Sequence, residues 1–144
     1  MNMKSVASLL ALAALFASGA ADAADLPRTS AAKDAVLYII SPADGETVKS
    51  PVTVRFGLRG MGIAPAGIAM ENTGHHHLLV DADPPPYNLP IPADTNHVHF
   101  GKGQTEATVT LAPGRHRLQL LLADHLHIPH DPPVVSKPIT ITVQ

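Results

Sequence analysis

The 144-residue sequence contains no cysteine and no tryptophan, and its aromatic residues are two tyrosines and three phenylalanines. Without cysteine the chain forms no disulfide bond, so the hydrophobic core alone must hold the fold together. The missing thiolate also excludes cysteine-based zinc fingers, thiol enzymes and blue-copper sites, because each of these needs a cysteine side chain. Any metal chemistry must therefore come from other ligands.

The sequence also lacks a large excess of either positive or negative charge. Ten Lys and Arg residues face twelve Asp and Glu residues, which gives a formal net charge of −2 at pH 7. Proteins that bind nucleic acid through its phosphates carry a basic excess, and this chain has none. We therefore expect no nucleic-acid partner.

The only long apolar run lies at residues 6–16 and is shorter than the roughly 20 residues of a membrane-spanning helix. Lys4 before it and Ala21-Asp22-Ala23 after it complete the pattern of a secretory signal peptide over residues 1–23. Cleavage just before Asp25 fits nearly as well. No cysteine follows, so the chain is not a lipoprotein. We expect a periplasmic or secreted protein with no membrane insertion after signal cleavage.

The rest of the chain is rich in turn formers and poor in helical patterns. All fourteen prolines and nine of the ten glycines lie after residue 23, and they argue against a helical bundle. Several short segments instead alternate apolar and polar residues, as strands with one buried face do. These candidate strands are residues 36–40, 51–58, 75–81, 105–111, 116–122 and 139–143. We predict an all-β, immunoglobulin-like β-sandwich of about seven strands over residues 35–144, preceded by a flexible lead-in at residues 24–34.

Histidine is unusually abundant, with nine copies. Eight of them fall into three groups, and His116 stands apart. Each group contains an H-x-H pair, and residues i and i+2 share one face of a strand. Neutral imidazole is the commonest metal ligand in proteins. The alternative is a set of polar loop residues bonded to the backbone. We predict metal ligands at His75, His77, His97, His99, His125, His127 and His130.

Met61 and Met70 precede the first histidine group and add two thioether donors. Thioether with imidazole suits copper, particularly Cu(I), whereas imidazole alone suits Zn(II) or Cu(II) equally. Each methionine is also an ordinary core-filling residue. We expect copper as the cofactor, with zinc as the alternative. An unperturbed histidine has a pKa of about 6.5, so we expect metal occupancy to fall between about pH 7 and pH 5.

The remaining polar residues suggest supporting roles. His116 follows a turn where sandwich domains place a structural corner residue, so we expect it to stabilise the fold. Asp124 and Asp131 flank the third histidine group and are candidates for orienting imidazole ligands.

Residues 75–81 contain apolar side chains on both alternating sets of positions. One set consists of His76, Leu78 and Val80, and after its histidine it contains only apolar residues. We therefore predict that this set faces the sandwich interior. His75 and His77 then lie on the opposite face with Leu79 and Asp81.

Several motifs carry a resemblance to a known family. They are GMGIAPAG at residues 60–67, NTGHHHLLVD at 72–81, HVHFG at 97–101, GQTE at 103–106, LQL at 118–120 and HLHIPHDPPV at 125–134. Over about residues 55–143 the chain resembles a bacterial family catalogued as domain of unknown function 4399. The resemblance implies a small exported domain and no particular activity.

The layout is more loosely similar to periplasmic copper carriers of the CopC type. No histidine stands at the predicted mature amino terminus, so the amino-terminal copper site of those carriers is not transferred to this chain.

Two functions from different classes remain open. The first is a periplasmic histidine-rich metal-binding protein, a copper carrier or buffer whose partners are the metal ion and a periplasmic metal-acceptor protein. The alternative is a non-catalytic structural or interaction module of the cell envelope without a functional metal. A metal-dependent enzyme is a third interpretation, although the sequence has no H-E-x-x-H, G-x-S-x-G, P-loop or G-x-G-x-x-G motif.

Overall fold

A computed structural model describes residues 26–144, so the predicted signal peptide lies outside the described residues. The described chain forms nine strands and no helix: β1 (Val36–Ser41), β2 (Thr47–Val48), β3 (Val52–Arg59), β4 (Gly62–Ile63), β5 (Thr73–Val80), β6 (His97–Phe100), β7 (Glu106–Val109), β8 (Gly114–Ala123) and β9 (Ile139–Val143). The all-β prediction is confirmed. Over residues 26–144, no helix has the length and apolarity that crossing a membrane requires.

The strands form two sheets that pack as a sandwich. One sheet has three antiparallel strands in the order β1-β3-β7, and the other has six strands in the order β2-β9-β8-β5-β4, with β6 also paired to β5. The six candidate strands of the sequence correspond to β1, β3, β5, β7, β8 and β9. Strand β6 and the two-residue strands β2 and β4 were not predicted.

The main core lies between the two sheets and follows the alternation in the sequence. Val52, Val54 and Phe56 of β3 point inwards and are at most 4% exposed, while the residues between them are exposed. Leu78 of β5 and Leu120 of β8 meet them from the opposite sheet and are fully buried. This apolar layer holds the six-stranded sheet in place and leaves its other face free for other contacts.

That other face is also covered, by loops rather than by a sheet. Leu79, Leu121 and Ala123 form a second core there with Ile91, which comes from the proline-rich connection between β5 and β6. Strand β5 is therefore buried along nearly its whole length on both faces. This explains why its sequence does not alternate cleanly, since both faces of the strand must be apolar or paired.

The predicted lead-in at residues 24–34 lies partly in the described chain, and there it is bonded to the domain. The Arg28 guanidinium donates to the carbonyl oxygens of Pro129 and His130, and it lies 3.3 Å from a carboxylate oxygen of Asp131. Ala31 N–H donates to the carbonyl oxygen of Asp131 at 3.0 Å. This segment therefore packs against the loop that follows β8.

Candidate metal centre

Strand β5 sends its consecutive histidines to opposite faces of the six-stranded sheet. The His76 ring packs against Phe56 in the main core, with 5.0 Å between ring centroids. His75 and His77 point to the other face, next to the second core, and their rings are 4.8 Å apart. The predicted facing of these three side chains is confirmed.

Two further imidazoles complete a cluster with this pair. His99 lies directly across from His77 in the pairing of β5 with β6, and its ring centroid is 5.0 Å from the rings of both His75 and His77. His127 comes from the loop after β8 and lies 5.0 Å from His75 and 4.8 Å from His99. We call these four residues the His cluster: His75, His77, His99 and His127.

The spacing of the four rings matches the geometry of a metal site. Five of the six centroid separations lie between 4.8 and 5.0 Å, and the sixth, between His77 and His127, is 6.1 Å. Four imidazoles arranged tetrahedrally at the usual metal–nitrogen distance of about 2.0–2.1 Å have their ring centres about 5 Å apart. One ring nitrogen from each of His75, His77 and His99 lies within 4.8 Å of the others. These three rings form the group whose nitrogens could hold one ion, and the His127 ring lies beside them.

The buried rings of the cluster lack hydrogen-bond partners. His75 is 0% exposed and both of its ring nitrogens are unpartnered, as is Nδ1 of His77, which is 1% exposed. A buried polar atom without a partner costs about 1–3 kcal/mol. A metal ion would accept the lone pair of each neutral ring, so the residues present fit an ion that prefers nitrogen ligands.

The surroundings keep these rings neutral. Burial, followed by the neighbouring His127 and His99, lowers the pKa of His75 to about 4. Burial and the adjacent histidines lower the pKa of His77 to about 2, and burial is also the main reason that the pKa of His99 is lowered. A neutral imidazole offers a lone pair, so His75, His77 and His99 have the protonation state that a metal ligand needs at neutral pH.

Three loops surround the cluster and leave one side accessible. Ala66 N–H donates to the carbonyl oxygen of Gly101, and Gly67 N–H to that of His125, which places the loop after β4 beside His99 and the loop after β8. Ile91 N–H donates to the carbonyl oxygen of His127 at 2.9 Å. His99 itself is exposed and His127 is half-buried, so an ion bound between the rings would be reachable from solvent.

Three other predicted histidine ligands lie elsewhere. Nδ1 of His97 bonds a carboxylate oxygen of Asp94 at 2.8 Å. Nε2 of His130 donates to the carbonyl oxygen of Thr73 at 3.0 Å, and the ring is 0% exposed. Among the described residues, the rings that pack against one another in the His cluster do not include those of His97, His125 or His130. Each H-x-H pair after the first therefore contributes one ring rather than two.

The two methionines are also placed apart from the imidazoles. Met61 is half-buried and packs against the main core between the sheets. Met70 is 61% exposed in the loop before β5. The donor set that the structure brings together therefore consists of imidazoles.

His116 contrasts with the cluster. Its Nε2 donates to the carbonyl oxygen of Ala112 and its Nδ1 to a carboxylate oxygen of Asp81, both at 2.7 Å. The bond to Ala112, with Asp81 in second place, raises the pKa of His116. Both bonds join separate turns, as expected of a corner residue that stabilises the fold.

The expected carboxylate partners bind other groups instead. Asp124 is 2% exposed and accepts hydrogen bonds from the amides of Leu126 and Ile128 and from the hydroxyl of Thr29. Asp131 is paired with Arg28. Neither forms a hydrogen bond to an imidazole, and Asp124 instead binds the backbone on both sides of His127.

Comparison with known proteins identifies the family. A family model described as "Domain of unknown function (DUF4399)" matches residues 54–144. The chain belongs to the DUF4399 family. The match covers β3 from its third residue onwards and every strand that carries the His cluster. Comparison with curated proteins and with solved structures gives no match.

Proposed function

We propose that this DUF4399 protein is an exported metal-binding protein that holds one transition-metal ion in the His cluster. In this role it acts as a carrier or buffer that loads and releases the ion in the periplasm. The predicted signal peptide supports the location. The observation that carries the proposal is the convergence of four imidazole rings, most of them with centroids 4.8–5.0 Å apart, in which both ring nitrogens of His75 and Nδ1 of His77 are buried without a hydrogen-bond partner.

An all-imidazole donor set favours copper or zinc over magnesium or calcium, because hard cations prefer oxygen ligands. For a given set of nitrogen ligands, Cu(II) binds more tightly than Zn(II) in the usual order of divalent affinities. The expectation of Cu(I) depended on Met61 and Met70, which lie outside the cluster. We therefore propose Cu(II) as the preferred ion and Zn(II) as the competitor.

The exposed edge of the cluster supports a role in exchange rather than in permanent storage. His75 and His77 are fixed in a buried strand, whereas His99 faces solvent. An acceptor protein could therefore approach the ion from the His99 side. We propose a periplasmic metal-acceptor protein as the partner.

The decisive experiment uses the mature protein expressed without a histidine tag. Elemental analysis after purification measures retained metal, and competition titration against chelators measures the affinities for Cu(II) and Zn(II). We expect one equivalent of metal, with Cu(II) bound more tightly than Zn(II). Micromolar or weaker binding of every ion would refute the proposal and favour an envelope interaction module.

A further inference from the structure

The loop that carries His127 is held in place by the amino-terminal segment. The hydroxyl of Thr29 donates to one carboxylate oxygen of Asp124 at 2.7 Å. The other carboxylate oxygen accepts the amides of Leu126 and Ile128 at 2.9 and 3.0 Å. His127 N–H donates to the carbonyl oxygen of Asp124 at 3.0 Å. One buried carboxylate thus joins the amino-terminal segment to both neighbours of His127.

The backbone of His127 needs this support. Its φ angle is 67°, in the left-handed region that side chains other than glycine seldom adopt. Such a conformation persists only where the surroundings impose it. The bonds of Asp124 close the loop around this residue, and the resulting turn brings the His127 ring to 4.8 Å from His99.

The amino-terminal segment makes several contacts with the same loop. Asp131 N–H donates to the carbonyl oxygen of Thr29 at 2.9 Å, and Ala31 N–H donates back to that of Asp131 at 3.0 Å. Arg28 bonds the carbonyl oxygens of Pro129 and His130. The segment therefore lies along the loop as an added strand-like piece, and Thr29 is its contact with Asp124.

We propose that Thr29 and Asp124 are positioning residues for His127, and that the amino-terminal segment thereby sets the metal affinity of the His cluster. This inference rests on the proposed function. His75, His77 and His99 are held by strands, whereas His127 depends on the loop. If the loop is loosened, the rings of His75, His77 and His99 stay in place and the His127 ring leaves the His cluster.

A double-mutant cycle tests whether Thr29 acts through His127. We compare wild type, Thr29→Val, His127→Ala and the double variant by competition titration with Cu(II) and Zn(II). Partners that orient metal ligands typically affect affinity 10–100-fold, so we expect Thr29→Val to weaken binding by about tenfold. The double variant should bind no more weakly than His127→Ala, because residues that act through one interaction are not additive.

The matched control is Thr53→Val. Thr53 also bonds another side chain through its hydroxyl, that of Thr108 at 3.2 Å, but it lies on β3 in the other sheet. We expect it to leave the metal affinity unchanged. The absorption spectrum of bound Co(II), which reports coordination number, should change in the same way in Thr29→Val and His127→Ala and should keep its wild-type form in Thr53→Val.

A measurement on the metal-free protein separates this inference from the proposed function. Hydrogen exchange at the amides of Leu126 and Ile128 should be about tenfold faster in Thr29→Val than in wild type or Thr53→Val, because their shared acceptor is loosened. If wild type binds neither ion, the proposed function fails. If hydrogen exchange at Leu126 and Ile128 is also the same in Thr29→Val as in wild type, the positioning role fails as well. Effects of Thr29→Val and His127→Ala that multiply in the double variant would also overturn it.

Discussion

The histidine side chains of this domain differ in what their ring nitrogens meet. Both nitrogens of His116 face oxygen acceptors, so the doubly protonated ring satisfies both bonds. Both nitrogens of His75 face no acceptor, and burial disfavours its charged form. The same residue type therefore stabilises the fold as a cation in one place and offers a lone pair in another.

His116 should stabilise the domain more at low pH than at high pH. Its folded pKa is raised above the ordinary value of 6.5, so its contribution is complete below that value and is lost as pH rises through the folded pKa. We expect His116→Gln to lower the melting temperature more at pH 5.5 than at pH 8.5. Thermal unfolding of both proteins at the two pH values measures this, and an equal loss at both would contradict it.

Metal binding should persist to lower pH than ordinary histidines allow. With a pKa of about 4 for His75 and about 2 for His77, these rings are already neutral above pH 5 and release no proton on binding. We expect the contribution of His75 and His77 to the affinity to be unchanged between pH 7 and pH 6 and to be lost steeply below about pH 5. If a titration series shows a steep fall in affinity between pH 7 and pH 6, the binding histidines titrate as unperturbed imidazoles and this prediction is wrong.

Among the strands, β5 contributes neighbouring histidines to two different environments, the main core and the His cluster. Adjacent side chains point to opposite faces, so His76 belongs to the core between the sheets and His77 to the His cluster. Both are 1% exposed, and exposure alone therefore does not distinguish them. Their different roles follow from the two-residue period of a strand.

Replacing each of these two histidines by leucine should separate the roles. We expect His77→Leu to weaken Cu(II) and Zn(II) binding by well over about tenfold, since it removes one ligand. His76→Leu should leave both affinities within about twofold of wild type, because its ring lies in the main core and contacts Phe56. Both variants should fold, since leucine suits a buried position. Loss of binding in His76→Leu with full binding in His77→Leu would reverse the assignment of faces.

At Gly74 of β5 a neighbouring backbone approaches closely. A Cβ atom there would lie 2.7 Å from the carbonyl oxygen of Ala123 and 2.8 Å from Cε1 of His130. We expect Gly74→Ala to lower the free energy of unfolding by about 1–3 kcal/mol in urea, as over-packing of a core does. Gly62→Ala is the control, because its Cβ would meet only a side-chain atom of Thr73 at 3.6 Å. Equal stabilities of the two variants would contradict this packing.

Across the domain, the His cluster joins segments that are distant in the sequence. Its four imidazoles come from β5, from β6 and from the loop after β8, and that loop is bonded to residues 28–31. The unfolded chain cannot present four imidazoles in this geometry. Metal binding must therefore favour the folded state.

Added metal should consequently stabilise wild type. At a free metal concentration about 100-fold above Kd, the free energy of unfolding should rise by about 2.7 kcal/mol, which is seen as a higher melting temperature. His77→Leu should lose most of this rise, whereas Thr53→Val should retain it. A rise of the same size in His77→Leu would place the bound ion elsewhere on the protein.

Much of the fold follows from local sequence patterns. The alternation in residues 52–58 predicts a half-buried strand because one face of β3 meets the core and the other meets solvent. The turn formers divide the chain into strands for the same local reason. Strand β6 was not predicted, since its four residues gain their strand character from pairing with β5.

The site was predictable only in outline. The H-x-H spacing placed His75 and His77 on one face, because that relation depends on a single strand. Which of the other imidazoles join them depends on the pairing of β6 with β5 and on the turn at His127. These are contacts between segments far apart in the chain, and residue spacing carries no information about them. Local periodicity therefore determined most of the strands and the pairing of His75 with His77 on one face, and only tertiary structure decided that His99 and His127 join them.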